Sequence, residues 1–110
     1  MTNDMLIAVT PAPGTGLAEN KDAAREIRTS QILPALSRGD KVVLDFGAVE
    51  FTTQSFVHAL IASPIQEFGR DILTRLEFRN CNANVKSVIL AVVNYTLRSV
   101  ALGAGDDTLH

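Results

Sequence analysis

Residues 41–46, Lys41-Val42-Val43-Leu44-Asp45-Phe46, constrain the fold of this chain more than any other stretch. Four of the six are apolar, and they do not alternate with polar residues. Such a run suits a central strand buried on both faces, as in a sheet covered by helices. Met5-Leu6-Ile7-Ala8-Val9 reads as another strand, stopped by Thr10-Pro11-Ala12-Pro13-Gly14. Pro-x-Pro-Gly can neither continue a ladder nor enter a helix interior. Leu76-Glu77-Phe78-Arg79 reads as a third strand, with Asn80, Asn82 and Asn84 marking its end.

Helical patterning fills the gaps between these strands. Ala23, Ala24, Ile27, Gln31/Ile32 and Leu36 recur at three- and four-residue steps, opposite Lys21, Arg25, Glu26 and Arg28. This is an amphipathic helix from about Asp22. Pro34 predicts a kink or restart within it, and Gly39 is placed as a left-handed C-terminal cap. Phe56, Ala59/Leu60 and Ile65/Phe68 mark a second helix from near Ser55 to Gly69, which Pro64 is expected to break. Val85, Val88, Ile89 and Val92 give a last helix entered through an asparagine cap. The order β-α-β-α-β-α, with crossovers long enough for parallel pairing, predicts an α/β fold: a mostly parallel sheet with helices packed against it. One domain over residues 1–102 is expected, followed by a flexible Gly-rich tail over 103–110.

With 110 residues, the chain has room for one such domain and no large cleft. Ten Lys+Arg against twelve Asp+Glu leave a net charge of −2, which offers no basic surface to a nucleic acid. The longest apolar run, residues 88–93, is far short of the roughly 18 residues a membrane span needs. Asn3 and Asp4 ahead of the short run 5–9 do not read as a signal peptide. The lone Cys81 has no internal partner for a disulfide, so a reducing cytoplasm is the expected setting.

Tests for chemistry return little. Gly14-Thr15-Gly16 suggests a phosphate loop, but Glu19 stands where the next glycine is required. One cysteine and two distant histidines, His58 and His110, form no metal-ligand cluster, so no metal or cofactor is expected. Cys81 lacks a sequence-local base. Asp45 is the one acidic residue at the carboxyl end of a strand, where sites tend to form. It could equally be satisfied by backbone amides of the next turn. With Asn80 and Asn82 it is the candidate lining of a small-ligand pocket.

Thr52-Thr53-Gln54-Ser55-Phe56 carries the most content. Its hydroxyls lie between a buried strand and a helix start, where each could cap free amides. The same position favours an added phosphate, because a helix N-terminus is partly positive. Such a residue would serve as a switch rather than a catalyst.

Val42-Val43-Leu44-Asp45-Phe46 followed by Thr53-Gln54-Ser55-Phe56 resembles the V-x-L-D-F … T-x-S-F core of bacterial STAS-like domains of unknown function. Ala24-Arg25-Glu26-Ile27-Arg28, Ile32-Leu33-Pro34 and Phe78-Arg79-Asn80-Cys81 extend the likeness, over roughly residues 11–97. The resemblance implies a small STAS-like sandwich related to the anti-sigma factor antagonists. In those antagonists a serine at the start of the helix after the second core strand is phosphorylated by a histidine-kinase-like ATPase. The unmodified form binds that ATPase. Ser55 matches that serine by position. The antagonists' Asp-Ser-Ser-Gly turn is replaced here, with Phe56 in the glycine position, so capping stays an alternative role and Thr52 and Thr53 stay alternative acceptors.

The resulting expectation is a non-enzymatic, cytoplasmic protein-interaction module, switched by phosphorylation at Ser55, Thr53 or Thr52. Docking would use Gln54, Phe56 and His58, and the partner would be an ATPase of the histidine-kinase-like class. The alternative is a small-ligand or nucleotide sensor built on Asp45, Asn80 and Asn82. A sheet of few strands also leaves an edge that a homodimer would cover.

Overall fold

The computed structural model describes residues 3–101. Strands β1 (Asp4–Ala8), β3 (Lys41–Asp45) and β5 (Leu76–Arg79) form one sheet in the order β1-β3-β5. Both pairings are parallel: Leu6 lies opposite Val43, and Val43 opposite Glu77. A second sheet pairs β2 (Leu17–Ala18) with β4 (Phe51–Thr52), again in parallel. Helices α1 (Lys21–Ile27), α2 (Leu33–Ser37), α3 (Gln54–Phe68) and α4 (Ala83–Ala101) complete an α/β layer fold. A π-helical turn, Arg28–Ile32, joins α1 to α2, and a 3₁₀ turn, Arg70–Arg75, leads from α3 into β5.

Pleating turns alternate residues to opposite faces. Ile7, Val42, Leu44 and Leu76 fall on one face and join the core with Ile32, Leu36, Phe56, Leu60, Ile61, Ile65, Val85 and Ile89. Val43 is as buried as its neighbours but stands apart from that core on the other face. The helix-covered second face expected for β3 is therefore not what the described residues show. An ionic row covers it instead: Lys41 Nζ lies 2.9 Å from Glu77 Oε1, and Arg79 Nη2 lies 2.8 Å from Glu77 Oε2.

Local chemistry explains the helix boundaries. Asn20 Oδ1 accepts from the amides of Asp22 (2.9 Å) and Ala23 (3.2 Å) and starts α1. Pro34 has no amide to give to the turn before it, and the chain widens there into the π turn rather than ending. Gly39, at φ +92°, closes α2 with paired bonds, Asp40 N to Ala35 O and Gly39 N to Leu36 O. That is a Schellman closure, and its left-handed residue favours glycine. The expected break at Pro64 does not occur, since α3 runs unbroken from Gln54 to Phe68. Pro64 is itself buried among Ile61, Ala62 and Ile65, so tertiary packing holds the turn despite the donor lost to Leu60. The proposed tail over 103–110, with Asp106, Asp107 and His110, lies outside the described residues.

Candidate functional site

Thr53 caps α3, its Oγ1 accepting from Phe56 N at 3.1 Å. Ser55 therefore does not cap. It sits inside the first turn with its side chain exposed. Thr52 is buried, and its hydroxyl donates to Ala18 O at 2.8 Å, tying β4 to β2. Of the three candidate acceptors, Ser55 is the one with an exposed position.

The helical period decides the remaining residues of this segment. Phe56, Val57, Leu60 and Ile61 turn inward, whereas Gln54, Ser55 and His58 turn out. Phe56 is 1% exposed and belongs to the core, which corrects its expected place on a docking surface. The first turn of α3 accommodates this bulky ring by pointing it under the helix.

Gln54, Ser55 and His58 open onto a groove of about 720 Å³ between α1, α3 and α4. Lys21, Arg25 and Arg28 form one wall, Ala59, Ala62 and Ala91 contribute small residues, and Tyr95 stands exposed at the α4 side. Arg28 is fixed by donating from Nη1 to Ala59 O at 3.0 Å. Sequence reasoning placed these cations on a polar helix face and went no further. Their spacing at positions 21, 25 and 28 was the signal that could have marked one stripe.

Asp45, Asn80 and Asn82 are arranged differently. Asp45 Oδ1 accepts from Gly47 N at 2.8 Å and from Asn80 Nδ2 at 3.1 Å. Those two donors, Asn80 first, hold its carboxyl below the ordinary value. Asn80 adopts φ +59°, the left-handed conformation asparagine tolerates, and so ends β5. Asn82 donates to Glu50 O at 3.0 Å and accepts from Val85 N at 2.9 Å, capping α4. Asn84 accepts from Thr52 N at 3.4 Å. Asp45 and Asn80 thus meet, while Asn82 is committed elsewhere. A smaller cavity of about 420 Å³ borders Phe78, Asn80, Cys81, Lys86, Ile89 and Leu90, and neither Asp45 nor Asn82 lines it. Burial pushes the Cys81 thiol up, which makes it a poor nucleophile.

Among the described residues, no group of three His, Cys, Asp or Glu side chains is placed to hold a metal ion. No helix there is long and apolar enough to cross a membrane.

No curated protein and no solved structure matches the chain. A family model does match, over residues 23–86. The matched stretch is narrower than 11–97. It runs from α1 through β3, α3 and β5 to the start of α4, and it includes Arg25, Arg28, Ser55 and His58 but neither Lys21 nor Tyr95. The chain belongs to the family of STAS-like domains of unknown function (DUF4325).

Proposed function

We propose that this domain is a non-enzymatic regulatory module that docks a protein partner on the α1–α3–α4 groove, and that phosphorylation of Ser55 releases that partner. The observation that carries the reading is the exposed Ser55 on the first turn of α3, opening onto the groove. Thr53 is occupied as the cap and Thr52 is buried, which leaves Ser55 as the hydroxyl a kinase can reach. A phosphate there adds about −1.5 to −2 charges at pH 7, enough to change what the groove accepts. Resemblance to the anti-sigma factor antagonists suggests a histidine-kinase-like ATPase as partner and kinase, and the unpaired Cys81 suits action in the cytoplasm.

Affinity capture with wild type, Ser55→Ala and Ser55→Glu, repeated with the purified partner, tests the reading. The expected result is retention of an ATPase of that class by wild type and Ser55→Ala, and its loss with Ser55→Glu. Equal retention by all three discards the switch.

The groove volume of about 720 Å³ also favours a second reading, a small-ligand or nucleotide sensor, since such sites span roughly 300–1,000 Å³. A ligand that binds the native state raises its stability. Thermal shifts with millimolar ATP or GTP decide it, and unchanged melting counts against the sensor. The outer strands β1 and β5 are the edges on which a homodimer would form, and light scattering at two concentrations tests that.

A further inference from the structure

Lys21, Arg25 and Arg28 follow one another at four- and three-residue steps, so a single helical face stacks three cations. Like charges at these spacings disfavour a helix. For Lys21 and Arg25 the return is no more than an exposed bridge to Asp22, and a local cost so weakly offset is expected of functional surface. All three line the groove, and no residue lining it is a carboxylate, although the whole chain carries a net charge of −2.

The cations are also available. Among the described residues Lys21 makes no ion pair, and Arg25 is held by Asp22 at 3.0 Å in an exposed bridge that water and partners readily replace. Arg28 is anchored to Ala59 O through Nη1, and its Nε is buried without an acceptor. The anchor holds the guanidinium charge in place at the groove, where a carboxylate can meet its remaining N–H groups. The amides of Gln54 and Ser55, at the start of the fifteen-residue helix α3, have no intrahelical acceptor and add partial positive charge.

We propose that the groove docks an acidic peptide segment of a protein partner, with carboxylates on Arg28, Arg25 and Lys21 and an apolar side chain against Tyr95. From Lys21 to Arg28 the helix rises about 10 Å, at about 1.5 Å per residue. Carboxylates about three residues apart on an extended segment match that rise. Ala59, Ala62 and Ala91 allow the incoming backbone to lie close, and Tyr95, 62% exposed, supplies an aromatic wall. The inference rests on the docking reading and gives its switch a mechanism. A phosphate on Ser55 would enter the same field and compete for the same cations.

The test is an NMR titration of the ¹⁵N-labelled chain with the synthetic peptide Glu-Asp-Leu-Glu-Glu-Leu-Asp and with its Gln/Asn amide counterpart. Expected are shifts confined to α1, the first turns of α3 and the surroundings of Tyr95, with no response to the amide peptide. Affinity should fall about tenfold between about 50 and about 300 mM salt, as screening requires. Lys21→Glu with Arg25→Glu, both exposed positions, should abolish binding while the spectrum stays folded. No shifts at millimolar peptide, equal binding of the amide peptide, or full displacement by inorganic phosphate at about 10 mM each overturn the proposal. Shifts centred on the cavity between β5 and α4 overturn it too. Loss with the charge reversals but normal binding by Ser55→Glu supports the acidic groove and removes the phosphorylation switch.

Discussion

Two polar clusters sit within a few turns of each other, and they differ in whether their hydrogen-bonding capacity is already used. Asp45, Asn80, Asn82 and Asn84 bond to the amides of Gly47, Val85 and Thr52, to the carbonyl of Glu50 and to one another. They stitch the ends of β3, β4 and β5 to the start of α4. Around Ser55, by contrast, Lys21, Arg25, Gln54 and His58 remain exposed along an open groove. Polar residues in the first cluster organise the chain, whereas those in the second bond little within it. Substitutions in the first should therefore cost stability and spare binding, and those in the second should do the reverse.

The largest expected effect comes from inside the open segment. Phe56→Ala should destabilise the domain by about 3–5 kcal/mol in urea unfolding, because a fully buried ring leaves a cavity. A loss below about 1 kcal/mol would put Phe56 back on the surface and erase the inward–outward division of α3. Asn82→Ala comes next. It removes the α4 cap and the bond to Glu50 O, and about 1–2 kcal/mol should be lost. Binding to the groove should be unchanged. If Asn82→Ala weakened binding at constant stability, the closed cluster would be a site after all.

The parallel β-α-β-α-β-α order was legible because each element carries its own period. The residues of β3 could be read off an unbroken apolar run and those of β5 off apolar residues alternating with charged ones, and Gly39 marked a helix end, which its left-handed backbone confirms. Strands β2 and β4 escaped because two residues show no period and owe their pairing to the fold. Pro64 misled for a related reason. A local rule priced the lost donor, and the burial that offsets it is tertiary. Ser55 was legible as a position. The groove beside it was not, since its cations come from α1 and the π turn after it, and its aromatic wall from Tyr95 on α4, forty residues beyond Ser55.

Acid should act through Asp45 of the closed cluster and through Glu77 in the ionic row beside it. Lys41 first, then Arg79, hold the Glu77 carboxyl below its ordinary 4.5, as Asn80 and Gly47 hold Asp45 below 3.8. With folded values depressed, the unfolded chain binds more protons in this range, so stability rises with pH. The contribution is complete above about pH 5 and fades as the medium approaches the folded values. Urea midpoints should fall from about pH 5 to about pH 3, and Asp45→Asn with Glu77→Gln should flatten that slope. An unchanged slope in the double variant would show that these bonds leave stability untouched.

The smallest expected change belongs to Ser55→Ala. Thr53 already supplies the cap, so removing one exposed hydroxyl should shift stability by no more than about 0.5 kcal/mol. Thr53→Ala, two positions earlier, should cost about 1 kcal/mol by unfolding α3's first turn. The ratio of the two measures the division of labour between neighbouring hydroxyls. If Ser55→Ala proved as costly as Thr53→Ala, Ser55 would belong with the closed cluster, and its exposure would have no functional meaning. If the alanine is silent in unfolding and yet prevents phosphate incorporation by a captured kinase, the hydroxyl is held on the surface for modification alone.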